Sequence, residues 1–201
     1  MKSIKKIINS IIKEYLNENR NILNKDILPN YLYHVTTNYN DVIKSGILLA
    51  KSGLDSGGLG GTESIGVSFV SDINIAKNIY NELNLINNIN NSKNEKEVLK
   101  IINNIDDGER KNFILTEYNR TIDVYMNFKT AALMAIRLSR NSLNFYDKPY
   151  YGIIIFNEDN IINKDIGIIK IHKNKIPNDV KIIEGVDKNL GEIRVLGDIK
   201  L

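Results

Sequence analysis

Two histidines and no cysteine narrow the chemistry open to this chain. Without thiols there is no disulfide, no thiolate zinc site and no cysteine nucleophile. His34 and His172 are too few for a multi-histidine metal centre, so no metal is expected. Hydrogen-bonding and carboxylate groups remain. His34 stands in the short aromatic stretch Leu32-Tyr33-His34-Val35-Thr36, and its imidazole can both donate and accept. His172 sits in a lysine-rich strand end and reads as a surface residue. Ser68 lies in Gly66-Val67-Ser68-Phe69-Val70-Ser71-Asp72. Glu192 lies in Gly191-Glu192-Ile193-Arg194-Val195-Leu196-Gly197-Asp198-Ile199. A carboxylate so placed is either an ordinary strand glutamate paired with a cation or a group that stabilises developing positive charge.

The elements that must position these residues can be read from periodicity. A strand is expected at 31–36, with Leu32, His34 and Thr36 on one face and Tyr33 and Val35 on the other. A short helix at 38–46 follows, capped by Asn38 or Asn40, with Val42 and Ile43 inward and Gly46 ending it. Glycines 53, 57, 58, 60 and 61 then cluster within 52–64. The cluster is neither a Walker loop nor a dinucleotide fingerprint; it is a surface loop or a loop lining a ligand. In the strand Gly66–Ser71, Ser68 and Val70 share a face opposite Val67 and Phe69. Ser71 or Asp72 caps a helix that turns Ile75, Ala76, Ile79, Tyr80 and Leu83 inward. The asparagine-rich stretch 86–96 reads as a loop, followed by helices near 95–105, 110–119 and 127–140. These make a helical insert at about 86–145. Strands return at Tyr150–Phe156, Asp165–His172, Val180–Ile183 and the C-terminus, with a turn at Pro177-Asn178-Asp179. Strands, then helices, then strands predict an α+β fold.

The chain has 201 residues, enough for one domain or one domain with an appendage. Hydrophobic residues at 42% and charged residues at 25% are ordinary for a soluble globular protein. A net charge of +3 does not by itself imply nucleic acid. No apolar run approaches the roughly 20 residues of a membrane span. The apolar residues of the N-terminus are interrupted by Lys and Asn, so no signal peptide is expected and the location is read as cytoplasmic. Residues 3–18 carry an apolar stripe of Ile4, Ile7, Ile8, Ile11, Ile12, Tyr15 and Leu16 behind Ser3, an amphipathic helix. That helix packs on the domain's own core or docks a protein partner. The expected division is an N-terminal helix within 1–20 and a domain over 31–201.

The order of the three motifs resembles the NAD-binding core of ADP-ribosyltransferases, in the diphtheria-toxin and poly(ADP-ribose) polymerase branch. The first motif is similar to Leu-Tyr/Trp-His-Gly-Thr/Ser. The second is similar to Gly-Ile-Tyr-Phe-Ala-Asp. The third is similar to the Glu-x-Arg-Val-x-Gly-Asp-Ile of small bacterial and phage members. The resemblance covers 31–80 and 150–199 and leaves the helical middle unmatched. It implies a split β-sheet core around an NAD cleft and NAD as substrate, with no metal. Glu192 would be catalytic, near the ribose 2′-hydroxyl. His34 would bind the adenosine ribose. The backbone of Val35, with Thr36 beside it, would hold the nicotinamide end. Ser68 would meet the carboxamide, and Tyr80 would stack on the nicotinamide ring. Val35 replaces the usual glycine, Ser68 replaces tyrosine, and Leu190 stands where arginine-modifying relatives carry an acid or amide. Arginine modification is therefore disfavoured.

The resemblance implies an NAD-dependent mono-ADP-ribosyltransferase that releases nicotinamide and modifies an unidentified protein or nucleic acid, in the manner of a toxin. Two alternatives keep the fold. One is an inactive binding or virion-associated structural protein, phage-encoded or delivered into a host. The other is an RNA 2′-phosphotransferase, disfavoured because no arginine cluster surrounds the motifs.

Overall fold

The computed structural model describes residues 21–50, 66–142, 161–185 and 191–201. The helix expected at 3–18, the glycine cluster at 52–64 and the strand expected at Tyr150–Phe156 lie outside the described residues. The elements in chain order are β1 (Tyr31–Thr36), α1 (Tyr39–Ser45), β2 (Ile47–Leu48), β3 (Val67–Phe69), α2 (Ile73–Asn91), α3 (Glu95–Asn103), α4 (Gly108–Tyr125), α5 (Phe128–Ser142), β4 (Gly167–His172), β5 (Ile182–Glu184), β6 (Ile193–Val195) and β7 (Ile199–Lys200). Helices mix with small antiparallel sheets, an α+β arrangement. Among the described residues no helix is long and apolar enough to cross a membrane. The chain divides into two compact units, one formed by residues up to Lys77 with Gly167–Leu201, the other by Asn78–Ile166.

The first unit holds the described strands. β1 pairs antiparallel with β4, from Tyr31 opposite His172 to Thr36 opposite Gly167. Its alternation is the expected one: Leu32 and Thr36 are buried on the face that carries His34, while Tyr31 is exposed. β3, β6 and β5 form a three-stranded sheet with β6 in the middle. Reciprocal 2.9 Å backbone bonds between Tyr33 and Val70 join β1 to the end of β3. Residues 21–23 run beside β5, with Leu23 N–H donating to Ile182 and Glu184 N–H to Asn21. β2 pairs with β7. Leu32, Val67, Phe69, Ile169, Ile171, Ile182, Ile193 and Val195 share one core with Leu28, Leu48, Ile176 and Ile199. Each such side chain, fully buried, contributes about 1.5–3 kcal/mol. α1 ends where Gly46 takes a left-handed φ of 66° and returns its N–H to Val42.

The second unit is helical. The stretch expected as a loop at 86–96 is in fact the last turns of α2, a short connection and the start of α3. The asparagines of α2 find tertiary partners there. Asn87 donates through Nδ2 to the Lys164 carbonyl and accepts through Oδ1 from the Lys164 N–H, both at 3.1 Å. Asn90 donates to the Ile161 carbonyl at 2.9 Å, and Asn91 accepts from the Asn163 N–H at 3.1 Å. Spaced at helical intervals, they clamp the segment 161–164 and override a weak helix propensity. α4 extends past its expected end at 119 because Ile114, Tyr118 and Thr121 continue the buried stripe. Side-chain caps start α3 and α4: Asn94 accepts from the Glu97 N–H and Asp107 from the Arg110 N–H, each at 3.0 Å.

A buried charge cluster ties three of these helices. Glu82 of α2 meets Arg110 of α4 at 2.8 Å and Arg140 of α5 at 3.4 Å, and all three side chains are at most 6% exposed. Arg110 Nε also donates to Ser139 Oγ at 3.2 Å. Removing one member of a buried pair strands the other charge in low dielectric. Glu82→Ala is expected to cost about 3–5 kcal/mol in urea unfolding followed by circular dichroism. Glu117→Ala, whose partner Arg120 is exposed, is expected to cost about 0–1 kcal/mol for the lost pair.

Candidate functional site

The site begins with alternation on the central strand β6. Ile193 and Val195 point into the core with Val67, Phe69 and Ile182. Glu192 and Arg194 therefore fall on the opposite face of that sheet. The register sets Ser68 and Ile183 on either side of Arg194. Ser68, Arg194 and Glu192 are thus direct and diagonal cross-strand neighbours, within side-chain reach.

These neighbours meet on one oxygen. Ser68 Oγ donates to Glu192 Oε1 at 2.5 Å, and Arg194 Nη2 pairs with the same oxygen at 2.7 Å. Both bonds are charge-assisted and of the strong kind. The Glu192 side chain is 8% exposed and that of Arg194 13%. The Glu192 carbonyl accepts the Gly185 N–H at 2.6 Å. Gly185 also leaves the space the Glu192 side chain occupies: a Cβ there would collide with its Cγ, Cδ and Oε2.

His34 reaches the same place from β1. Its Nδ1 lies 2.8 Å from the Ser68 carbonyl, and its ring centroid lies 5.7 Å from that of Phe69. A carbonyl only accepts, so Nδ1 carries the proton. Burial lowers the His34 pKa from its ordinary value, opposed by the Ser68 carbonyl. The ring is consequently neutral at pH 7, and Nε2 keeps its lone pair as an acceptor. Ser68 is the shared member of the series, holding His34 by its carbonyl and Glu192 by its hydroxyl.

The remaining expected residues sit as follows. Val35 is half-buried in β1, opposite Ile168. Tyr33 spends its N–H and C=O on Val70, and strand alternation aims those of Val35 toward the same edge. Thr36 is buried, and its hydroxyl accepts the Asn38 N–H at 3.2 Å, bracing the turn into α1. Tyr80 is half-buried on α2 and belongs to the second unit. His172 is half-buried with its ring edge-on to Tyr31, centroids 5.3 Å apart. The Ser68 hydroxyl, expected to serve a carboxamide, donates a hydrogen bond to Glu192 Oε1. Two residues of the site were missed in the sequence. Arg194 was signalled by its place two residues after Glu192 on an alternating strand. Gly185 had no local signal, because its role depends on a partner strand.

The neutral state of His34 has a consequence for stability. Its folded pKa lies below the unfolded value of about 6.5, so the unfolded chain takes up the proton first as the pH falls. The stability held above about pH 6.5 is then lost on acidification, by up to about 1.4 kcal/mol per pH unit. Urea unfolding of wild type and His34→Asn between pH 7.5 and 5.5 should show a shallower loss in the variant. No family model, curated protein or solved structure matches the chain.

Proposed function

We propose that the chain is an NAD⁺-dependent mono-ADP-ribosyltransferase that transfers ADP-ribose to a macromolecular acceptor, or to water when none is present. One observation carries the reading. His34, Ser68 and Glu192, far apart in sequence, meet in a single hydrogen-bonded series. They are the residues whose order resembles the family's, and the register of β3 against β6 and the bonds of Tyr33 to Val70 bring them together. Further support comes from the Val35 backbone, whose N–H and C=O leave β1 on the edge toward β3. A donor and an acceptor from one residue match the C=O and NH₂ of a carboxamide.

In the proposed reaction the bond between ribose C1′ and the nicotinamide nitrogen breaks. Nicotinamide leaves with the electron pair, and positive charge spreads over C1′ and the ring oxygen, as in glycoside cleavage. The Glu192 carboxylate accepts a hydrogen bond from the 2′-hydroxyl and lowers the energy of that cation. His34, neutral and with Nε2 as acceptor, takes a hydroxyl proton of the adenosine ribose in a hydrogen bond. The acceptor's nucleophile then forms the new bond to C1′ and releases its proton to solvent.

A second reading is favoured by Val35, which crowds the position that relatives leave to glycine. It is a binding module that retains the cleft without turnover. Incubation with NAD⁺ separates the two. Nicotinamide release is expected from wild type, and Glu192→Gln should reduce it by roughly 10²–10³-fold. Release at the same rate from both proteins rules out Glu192 as the catalytic group. Calorimetric binding of NAD⁺ without release identifies the binding module.

A further inference from the structure

The Glu192 carboxylate does not hold its place unaided. Its side chain rises from the turn before β6, where a free glutamate would sample several rotamers at a cost in entropy when fixed. Arg194 and Ser68 both bind Oε1, from the neighbouring position on the same strand face and from the adjacent strand. Gly185 supplies space just past the end of β5, because any side chain there overlaps the Glu192 carboxyl group. From this geometry we infer that Arg194 and Gly185 are positioning residues. Arg194 fixes the rotation of the Glu192 carboxylate, and Gly185 provides the room that lets the carboxylate take that rotation. The inference rests on the reading of Glu192 as the group that faces the ribose.

Two features argue for positioning rather than ordinary sheet stability. The pair lies on the face opposite the apolar core, so it fills no gap among Ile193, Val195 and Phe69. The guanidinium also binds the oxygen that takes the Ser68 hydroxyl, and Ser68 in turn holds His34. A planar, rigid donor at that point sets one end of the series. Lysine there would keep the charge and lose the fixed direction of the N–H groups.

The test uses the full chain with NAD⁺. Arg194→Met should lower kcat for nicotinamide release by roughly 10–100-fold, the scale of a misplaced catalytic group, while KM for NAD⁺ stays within about threefold. Arg194→Lys should recover part of that loss. Gly185→Ala should reproduce the kcat defect with KM likewise preserved. Where Gly185→Ala fails to fold, the two Arg194 variants decide. Arg194→Met with wild-type kcat overturns the inference. So does a variant that is less stable to urea but otherwise kinetically unchanged.

A readout independent of turnover keeps this inference apart from the proposed activity. In protein labelled with ¹³C-glutamate, the Glu192 carboxyl resonance is the one absent from Glu192→Gln. It should move in Arg194→Met and Gly185→Ala and stay in Arg120→Met, which alters an exposed arginine. Absence of nicotinamide release from wild type together with that shift refutes the activity and leaves the positioning in place. An unmoved resonance in Arg194→Met refutes the positioning.

Discussion

The reciprocal backbone bonds between Tyr33 and Val70 are the constraint on which the candidate site depends. β1 is otherwise committed to β4, and β3 to β6. Two hydrogen bonds, each worth about 0.5–1.5 kcal/mol net, decide how the first sheet sits against the second at this point. They fix the next residue of β1, His34, beside the preceding part of β3. There the Ser68 carbonyl lies 2.8 Å from its ring, and the tilted Phe69 ring has its centroid 5.7 Å away. β6 then carries Glu192 to the Ser68 hydroxyl by register alone. A small backbone contact thus organises three side chains that the sequence scatters over most of its length.

What could be read in advance followed from locality. β1 was legible from Tyr31 to Thr36 because its alternation is complete within six residues. The end of α1 was legible because Gly46 marks it, whereas Ile43, expected inward, is exposed and Asn38 makes no side-chain cap bond. The asparagine-rich stretch was misread because its helical character comes from segment 161–164, about seventy residues further on. Asparagine in isolation prefers caps and turns, and only a backbone partner at a fixed distance reverses that preference. The candidate site divides in the same way. Its residue types and order were visible, since the motifs are short. The partner of the Ser68 hydroxyl was not, because it depends on the register of β3 against β6. Gly185 was invisible for the same reason.

Two buried carboxylates show how similar chemistry takes different forms. Glu82 lies among helices with two arginines, and each contact links a different element of the second unit. Its cost of desolvation is offset only by that full set of partners, so it acts as a tie between helices. Glu192 takes Arg194 and the Ser68 hydroxyl on the same oxygen, at the start of the middle strand of a three-stranded sheet. Just past the end of β5, Gly185 leaves the space that the carboxyl group occupies. A stability role would be served as well by an apolar residue at 192, since buried ion pairs gain little over well-packed hydrophobic groups. Retaining a charge, an arginine and a side-chain-free floor together makes sense where the direction of the carboxylate matters.

The protonation states along the series are consistent with that direction. Serine can give its single proton to one acceptor only, and it gives it to Glu192. The Ser68 carbonyl takes the Nδ1 proton of His34, which leaves the imidazole neutral and its other nitrogen basic. Polarity therefore runs one way, from the imidazole N–H into the Ser68 peptide and from the Ser68 hydroxyl into the carboxylate. An imidazolium at 34 would add positive charge to a site that the proposed reaction requires to favour a ribosyl cation. Burial of His34 removes that charge, and Arg194, paired directly with Glu192, has its own neutralised at close range. On the proposed reading, a neutral acceptor near one hydroxyl and an oriented anion near another are what the two riboses of a dinucleotide require.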